Sequence, residues 1–302
     1  MNLETQSTEP PEKEPWTIKR LLDWTADHFE KRDADNPRLR AEVLLAEALD
    51  CPRIELYTQF ATVPSGDSLK DFRSWVKRHA AGEPVAYLVG SKEFYSLKFS
   101  VDSNVLIPRP ETEHVIIEAI EAAKSLDSST PRIADVGTGS GCIAVTLAIH
   151  IPACQVCAID VSRAALDIAQ ENANEHNVGA NIQIVESDLF AQVPQDQQFD
   201  LIVSNPPYIG TAEQNTVADS VRDFEPHVAL FAGQEGMDVI RRLVAASVER
   251  LSENGYLIVE ISPFILERCQ ALIAETSGLE WVKIVNDYSG HARVLVARRM
   301  VG

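Results

Sequence analysis

The chain has 302 residues, enough for two modest domains, and its 45% hydrophobic content is that of a globular protein with a real core. Acidic residues outnumber basic ones by 45 to 27, a formal charge of −18. Proteins that bind DNA or RNA neutralise phosphates with Lys and Arg, so this balance argues against a nucleic-acid partner. No apolar run approaches the ~20 residues needed to cross a bilayer, which argues against a membrane partner.

Residues 1–15 are rich in Glu, Thr, Ser and Pro and have no apolar core. They read as a disordered tail rather than a signal peptide, and a cytoplasmic location is expected. Residues 16–84 are helical in pattern. Thr17 can cap a helix over 17–32, with Ile18, Leu21, Leu22, Thr25 and Phe29 on one face. Asn36 before Pro37 reads as an N-cap opening a helix over 38–49, and a further amphipathic segment covers 68–79. Residues 85–108 are expected to form a β-hairpin linker, with two β-like runs around Asp102-Ser-Asn104. A helix over 111–123 follows.

From Arg132 the pattern alternates. Apolar strands are predicted near 132–136, 154–159, 181–186, 199–204, 255–261, 280–286 and 292–298, with helices near 140–150, 162–176, 236–251 and 264–276. This is an α/β pattern of seven strands, Rossmann-like, mostly parallel and closed by an antiparallel pair, spanning a domain of residues 109–302. The five cysteines have no framework spacing, which fits a reducing compartment. Cys154 and Cys157 fall on opposite faces of a strand, and no second Cys or His pair completes a zinc site. No metal is expected.

The polar residues gather where strands end. Strand one runs into Asp135-Val-Gly137-Thr138-Gly139-Ser-Gly141, whose glycines allow a tight turn and close approach of a ligand at a helix N-terminus. Strand two ends in Asp160, about 20 residues on, a spacing that suits a carboxylate gripping ribose hydroxyls. Strand three delivers Asp188 and Leu189, and strand four stops at Asn205-Pro206-Pro207-Tyr208. Proline has no N–H, so that corner is rigid and rich in acceptors. The Asn205 side-chain oxygen and the Pro206 carbonyl can each take one N–H of a planar NH2 group.

These motifs resemble the class I S-adenosylmethionine-dependent methyltransferases that act on planar NH2 groups. The match narrows through Pro84-Val-Ala-Tyr-Leu88, Glu93-Phe-Tyr95, Val105-Leu-Ile-Pro-Arg-Pro-Glu-Thr-Glu113, Asn205-Pro-Pro-Tyr-Ile209, Phe224-Glu-Pro226 and the closing Asp287-Tyr-Ser-Gly290 to Arg293. Together with Ala41-Glu-x-Leu-Leu45 and Arg53-x-Glu-Leu-Tyr57, the sequence is similar to the protein-(glutamine-N5) methyltransferases of the PrmC/HemK family over roughly residues 17 to 298. One departure stands out: the family's Glu-Ile-Gly with a following Gln is here Glu260-Ile-Ser-Pro-Phe-Ile265.

The resemblance implies S-adenosylmethionine as cofactor. Asp135, Gly137, Thr138, Gly139 and Gly141 would surround its methionine portion, Asp160 its ribose, and Asp188 with Leu189 its adenine, with Asn205 nearby. It assigns catalysis to Asn205, Pro206 and Tyr208, and the substrate pocket to these with Pro207 and Phe94. The implied substrate is the glutamine of the Gly-Gly-Gln loop of bacterial class I peptide chain release factors, with 16–84 as a docking domain. Arg109 is either a surface residue held by prolines or part of the closure over the cofactor. The rivals are an amino-methyltransferase of adenine N6 or guanine N2, which calls for a basic cleft, and a non-catalytic module retaining the fold. A dehydrogenase leaves the Asn-Pro-Pro-Tyr corner unexplained.

Overall fold

The computed structural model describes residues 15–32 and 35–301. Most of the expected N-terminal tail, residues 1–14, lies outside them. The chain divides after Val89 into two compact units.

The first unit is helical. Thr17 caps α1 (Ile18–Glu30) by accepting the Arg20 N–H at 3.3 Å, and Ile18, Leu21, Leu22, Thr25 and Phe29 are its buried face. They pack with Leu44 and Leu45 of α2 (Pro37–Ala48), Leu56 of α3 (Arg53–Thr58) and Phe72 of α4 (Ser68–His79). Truncating a fully buried side chain such as Phe29 to Ala costs about 3–5 kcal/mol in such a core. Asn36 differs from expectation: it is left-handed (φ 48°) and its side chain makes no cap bond, so Pro37 alone marks the start of α2. The two helical motifs meet at one carboxylate. Glu42, nearly buried, accepts from Arg38 Nε at 2.9 Å, from Arg53 at 3.3 Å and from the Tyr57 hydroxyl. Residues 85–89 form α5 (Val85–Val89), which belongs to this unit rather than to a linker.

The second unit begins with the hairpin of β1 (Ser91–Phe94) and β2 (Leu97–Ser100). Its turn is Tyr95-Ser96, both at positive φ (49° and 60°), the twist that tight two-residue hairpins require. The expected turn at Asp102–Asn104 is instead a local loop closed by the Asn104 N–H donating to Asp102 Oδ1 at 2.8 Å. Positive φ without Gly or Asn gave the sequence no turn signal at 95–96. The hairpin is built into this unit. Phe94 and Phe99 are buried with Val115, Ile116 and Leu147, and fully buried Asn172 bonds both the N–H and the carbonyl of Ser100 (2.7 and 3.0 Å). The same amide donates to the Ser140 carbonyl at 2.8 Å.

A seven-stranded sheet follows: β3 (Arg132–Val136), β4 (Gln155–Asp160), β5 (Ile182–Glu186), β6 (Phe199–Ser204), β7 (Leu251–Glu260), β8 (Leu279–Asn286) and β9 (Ala292–Arg299). Their order is β5-β4-β3-β6-β7-β9-β8, with β3 to β7 parallel and β9 antiparallel to both its neighbours. Side chains alternate between two apolar layers. Val156 and Ala158 of β4 face α6 (Glu113–Ser125), α7 (Cys142–His150) and α8 (Arg163–Glu175), while Cys157 and Ile159 face the helices Asp238–Arg250 and Leu266–Glu275. Cys154 and Cys157 thus lie in opposite layers, and no metal-binding cluster exists among the described residues. Chain order reverses at β3, which sits between β4 and β6. Ligands of open α/β sheets bind at such a point, beyond the strands' carboxyl ends. No described helix is long and apolar enough to cross a membrane.

Candidate active site

Beyond the ends of β3, β4 and β6 lies a cavity of about 330 Å³, within the range of small-molecule sites. Gly137, Thr138, Gly139, Asp160, Asp188, Leu189, Asn205, Pro206 and Pro207 all line it. The loop after β3 and the corner after β6 are immediate neighbours: a Cβ on Gly137 would stand 3.9 Å from the Asn205 carbonyl. Ser204 ties the two strand ends by donating to the Val136 carbonyl at 2.6 Å.

Four expected site residues stand behind the cavity wall instead. Asp135 is fully buried; its Oδ2 accepts from Thr138 Oγ1 at 2.6 Å and from the Ala144 N–H at 3.1 Å, while Oδ1 has no partner. Burial pushes its pKa up to about 7. It braces the glycine loop against α7 rather than meeting a ligand. Gly141, at φ 77°, lets α7 approach α8: a Cβ there would lie 3.1 Å from that of Ala169. Tyr208 donates its hydroxyl to Glu260 Oε1 at 3.3 Å, and burial raises its pKa. Phe94 does not wall the cavity. It is a core residue of the hairpin, edge-on to Phe99, beside a separate shallow recess with Tyr95, Glu113 and His150.

The structure adds residues that the sequence did not single out. Thr112 closes the 3-10 turn Pro110–Thr112; it accepts from Asn205 Nδ2 at 3.1 Å and donates to Glu260 Oε2 at 2.6 Å. Glu260, the buried last residue of β7, has its pKa pushed up to about 7 by burial. Nearby Glu111 adds to the shift, and the bonds from Thr112 and Tyr208 and the charge of Arg293 oppose it. Arg293 is held by Asp287 at 2.8 Å, and that bond with two backbone N–H groups pushes Asp287 down to about 2. The closing motif therefore places a fixed cation near Glu260. Arg109 lines the cavity and is paired with buried Glu225 at 2.5 Å, while Glu225 also accepts the Ile107 N–H at 3.2 Å. The pair joins the Val105–Glu113 segment to Pro226 and Val228, which form another part of the wall. A charged residue ending an apolar strand, as Glu260 does, was the one available signal for this network.

The departure after β7 leaves the cavity intact. Ser262 to Ile265 do not line it; Ser262 caps its own turn, Phe264 is 83% exposed, and Ile265 is in the core.

A mostly parallel sheet with its glycine loop and Asn-Pro-Pro corner on one cavity is the arrangement of a methyltransferase. In agreement, residues 114–223 match the family model of the methyltransferase small domain and residues 20–90 that of the PrmC N-terminal domain. The chain is 47% identical over 283 residues to the release factor glutamine methyltransferase of Rhodopirellula baltica, covering 93% of this chain and 96% of that one. It is 42% identical over 254 residues to the same-named protein of Geobacter sulfurreducens, covering 84% and 86%. The chain belongs to the release factor glutamine methyltransferase family. Solved structures share the fold at low identity. The hMettl16 catalytic domain, crystallised with an RNA hairpin, gives a TM-score of 0.54 at 14% identity over 77% of this chain and 81% of that one. A methyltransferase from Pyrococcus furiosus gives 0.50 at 16%, over 76% and 98%.

The cavity fits S-adenosylmethionine. The Gly139 N–H, which a pyrophosphate would need, already donates to Asp160 Oδ2 at 2.9 Å, so the loop suits a ligand without phosphate. Asp160 lines the wall, its two carboxylate oxygens accepting the Gly139 and Ser162 N–H groups at 2.9 Å each and its pKa raised by burial, and Leu189 and Ile159 add apolar surface.

Proposed function

We propose that the chain transfers a methyl group from S-adenosylmethionine to the side-chain amide nitrogen of the glutamine in the Gly-Gly-Gln loop of bacterial class I release factors. The observation that carries this reading is the position of Asn205, Pro206 and Pro207 on the same cavity as the glycine loop, with the Asn205 amide nitrogen committed to Thr112. That bond leaves Oδ1 as the acceptor of the pair.

The bound donor supplies a methyl on a sulfonium, a good leaving group. An amide nitrogen is a poor nucleophile, so the chain must supply orientation. Asn205 Oδ1 and the Pro206 carbonyl accept its two N–H groups and fix the nitrogen's face; alignment of this kind supplies on the order of 7–11 kcal/mol. The same acceptors stabilise the positive charge that develops on nitrogen as the N–CH3 bond would form and the S–CH3 bond would break; the nitrogen then gives one proton to water, leaving a neutral N-methyl amide and the thioether product. Gly137, Thr138 and Gly139 would admit the methionine portion, Asp160 would take ribose hydroxyls, and Asp188 with Leu189 would border the adenine. Asp135 and Gly141 hold the loop from behind, and Tyr208 steadies the corner through Glu260. Residues 109–302 perform the chemistry and 16–84 dock the rest of the release factor. A substrate of translation termination sets the location as cytoplasmic.

Nucleic acid is disfavoured as substrate by the charge of −18 and by the pairing of both cavity arginines, Arg109 with Glu225 and Arg242 with Asp188 at 2.7 Å. The test is transfer from radiolabelled S-adenosylmethionine to a purified release factor, its Gln→Ala loop mutant, and bulk RNA and DNA. Label on the intact factor alone is expected. Label on nucleic acid alone would mean that the chemistry is right and the substrate wrong.

A further inference from the structure

We infer that Thr112 and Glu260 are positioning residues that set the direction of the Asn205 amide, so that its oxygen and not its NH2 meets the substrate nitrogen. The inference rests on the proposed role of Asn205 as an acceptor. Its basis is the single proton of the Thr112 hydroxyl. In its ionised form Glu260 uses both oxygens as acceptors, Oε2 from Thr112 at 2.6 Å and Oε1 from Tyr208 at 3.3 Å. With its proton given to Glu260, Thr112 can only accept from Asn205, which must therefore turn its NH2 toward it, at 3.1 Å. The reversed amide would need the Thr112 proton for itself and would leave Oε2 of a carboxylate that is 1% exposed without its donor. Unsatisfied buried acceptors are strongly disfavoured, so with Glu260 ionised the network has one polarity; a proton on Glu260 would let it donate to Thr112 and lift the constraint.

The consequence is chemical. An asparagine amide is nearly symmetric in shape, and only its hydrogen bonds decide which end points where. Without the Thr112 hydroxyl, the Asn205 side chain is free to rotate by a half turn and present N–H to the N–H of a substrate amide. Donor would then face donor. Three segments distant in sequence (the turn before α6, the corner after β6 and the end of β7) thus combine to define one acceptor atom.

The test compares full-length Thr112→Val, Thr112→Ala, Thr112→Ser, Glu260→Gln and Asn205→Ala, at a pH well above the Glu260 value of about 7, for kcat, KM and the calorimetric Kd for S-adenosylmethionine. Valine keeps the shape of threonine without the hydroxyl, and serine keeps the hydroxyl without the methyl. Thr112→Val is expected to lower kcat on the order of 10- to 100-fold while KM and cofactor Kd stay within about threefold. Thr112→Ser should recover most of that rate. Glu260→Gln should be intermediate, because a glutamine can turn either its acceptor or its donor to Thr112.

Wild-type kcat in Thr112→Val, or a Thr112→Ser as slow as Thr112→Val, would overturn the inference. Should Thr112→Val fail to fold, Thr112→Ala, which also lacks the hydroxyl, decides, and a wild-type kcat there overturns it equally. Asn205→Ala keeps the two levels apart. If it turns over like wild type, the reading of the corner fails; if it is inactive while Thr112→Val is fast, only the positioning role fails.

Discussion

The two walls of the cavity each rest on a buried carboxyl group pushed up to about 7, yet they use it differently. Under the glycine loop, Asp135 holds the Thr138 hydroxyl and the Ala144 N–H, so it ties the loop to the helix behind it. Under the acceptor corner, Glu260 holds Thr112 and Tyr208, so it fixes side chains. The loop wall is selected for what it lacks, because glycines leave room. The corner wall is selected for which atoms it presents. Damage to the first should therefore appear in cofactor binding and stability, and damage to the second in turnover.

The largest effect expected is at the corner. Asn205→Ala should lower kcat by about 10³-fold or more, as loss of a preorganised transition-state group does, with cofactor Kd within about threefold of wild type. Turnover near the wild-type rate would sink the mechanism. Next comes Gly141→Ala, which forces a side chain to φ 77° and places its Cβ 3.1 Å from that of Ala169. Urea denaturation should show a loss of about 1–3 kcal/mol, with cofactor Kd weakened more than kcat. An unchanged Kd would break the contrast between the walls.

A smaller effect concerns pH. Asp135 titrates at about 7 in the fold against 3.8 for the free group, so the fold binds its proton more tightly than the unfolded chain does. Its contribution to stability is complete below pH 4 and is lost as pH rises through 7. Asp135→Asn should flatten this part of the curve of melting temperature against pH. Glu260 contributes with the same sign, so the difference between wild type and variant isolates Asp135. The smallest effect is outside both walls: Phe264→Ser, at an 83% exposed position, should change stability by no more than about 0.5 kcal/mol and leave kcat unaltered.

The sheet was readable because apolar runs of five to ten residues ended in polar ones, and β3, with β6, falls on its expected bounds. The glycine loop, Asp160 and the Asn205 corner were readable because they follow strands directly. Partners separated by long stretches of chain were not. Thr112 and Glu260 form one bond across a sequence separation of 148, and neither alone differs from an ordinary turn threonine or strand-end glutamate. The misplaced hairpin turn has another cause. Tyr95 and Ser96 carry positive φ without glycine, held by packing of Phe94 and Phe99 and by the Tyr95 N–H donating to Glu113 at 3.1 Å. Asp135 and Gly141 were found by motif but given ligand roles, because a pattern of residue types does not tell which side of a loop each one faces.

Asn172 acts as a rivet. One amide fastens the last residue of the hairpin and the Ser140 carbonyl of the glycine loop to the same helix, with three hydrogen bonds of 2.7–3.0 Å. The hairpin is also the first structure the chain makes after Val89, so the segment that opens the second unit is tied to the loop at the cavity through one side chain. Removing that one side chain would release the Ser100 N–H and the Ser140 carbonyl together, so both segments lose an anchor in a single substitution.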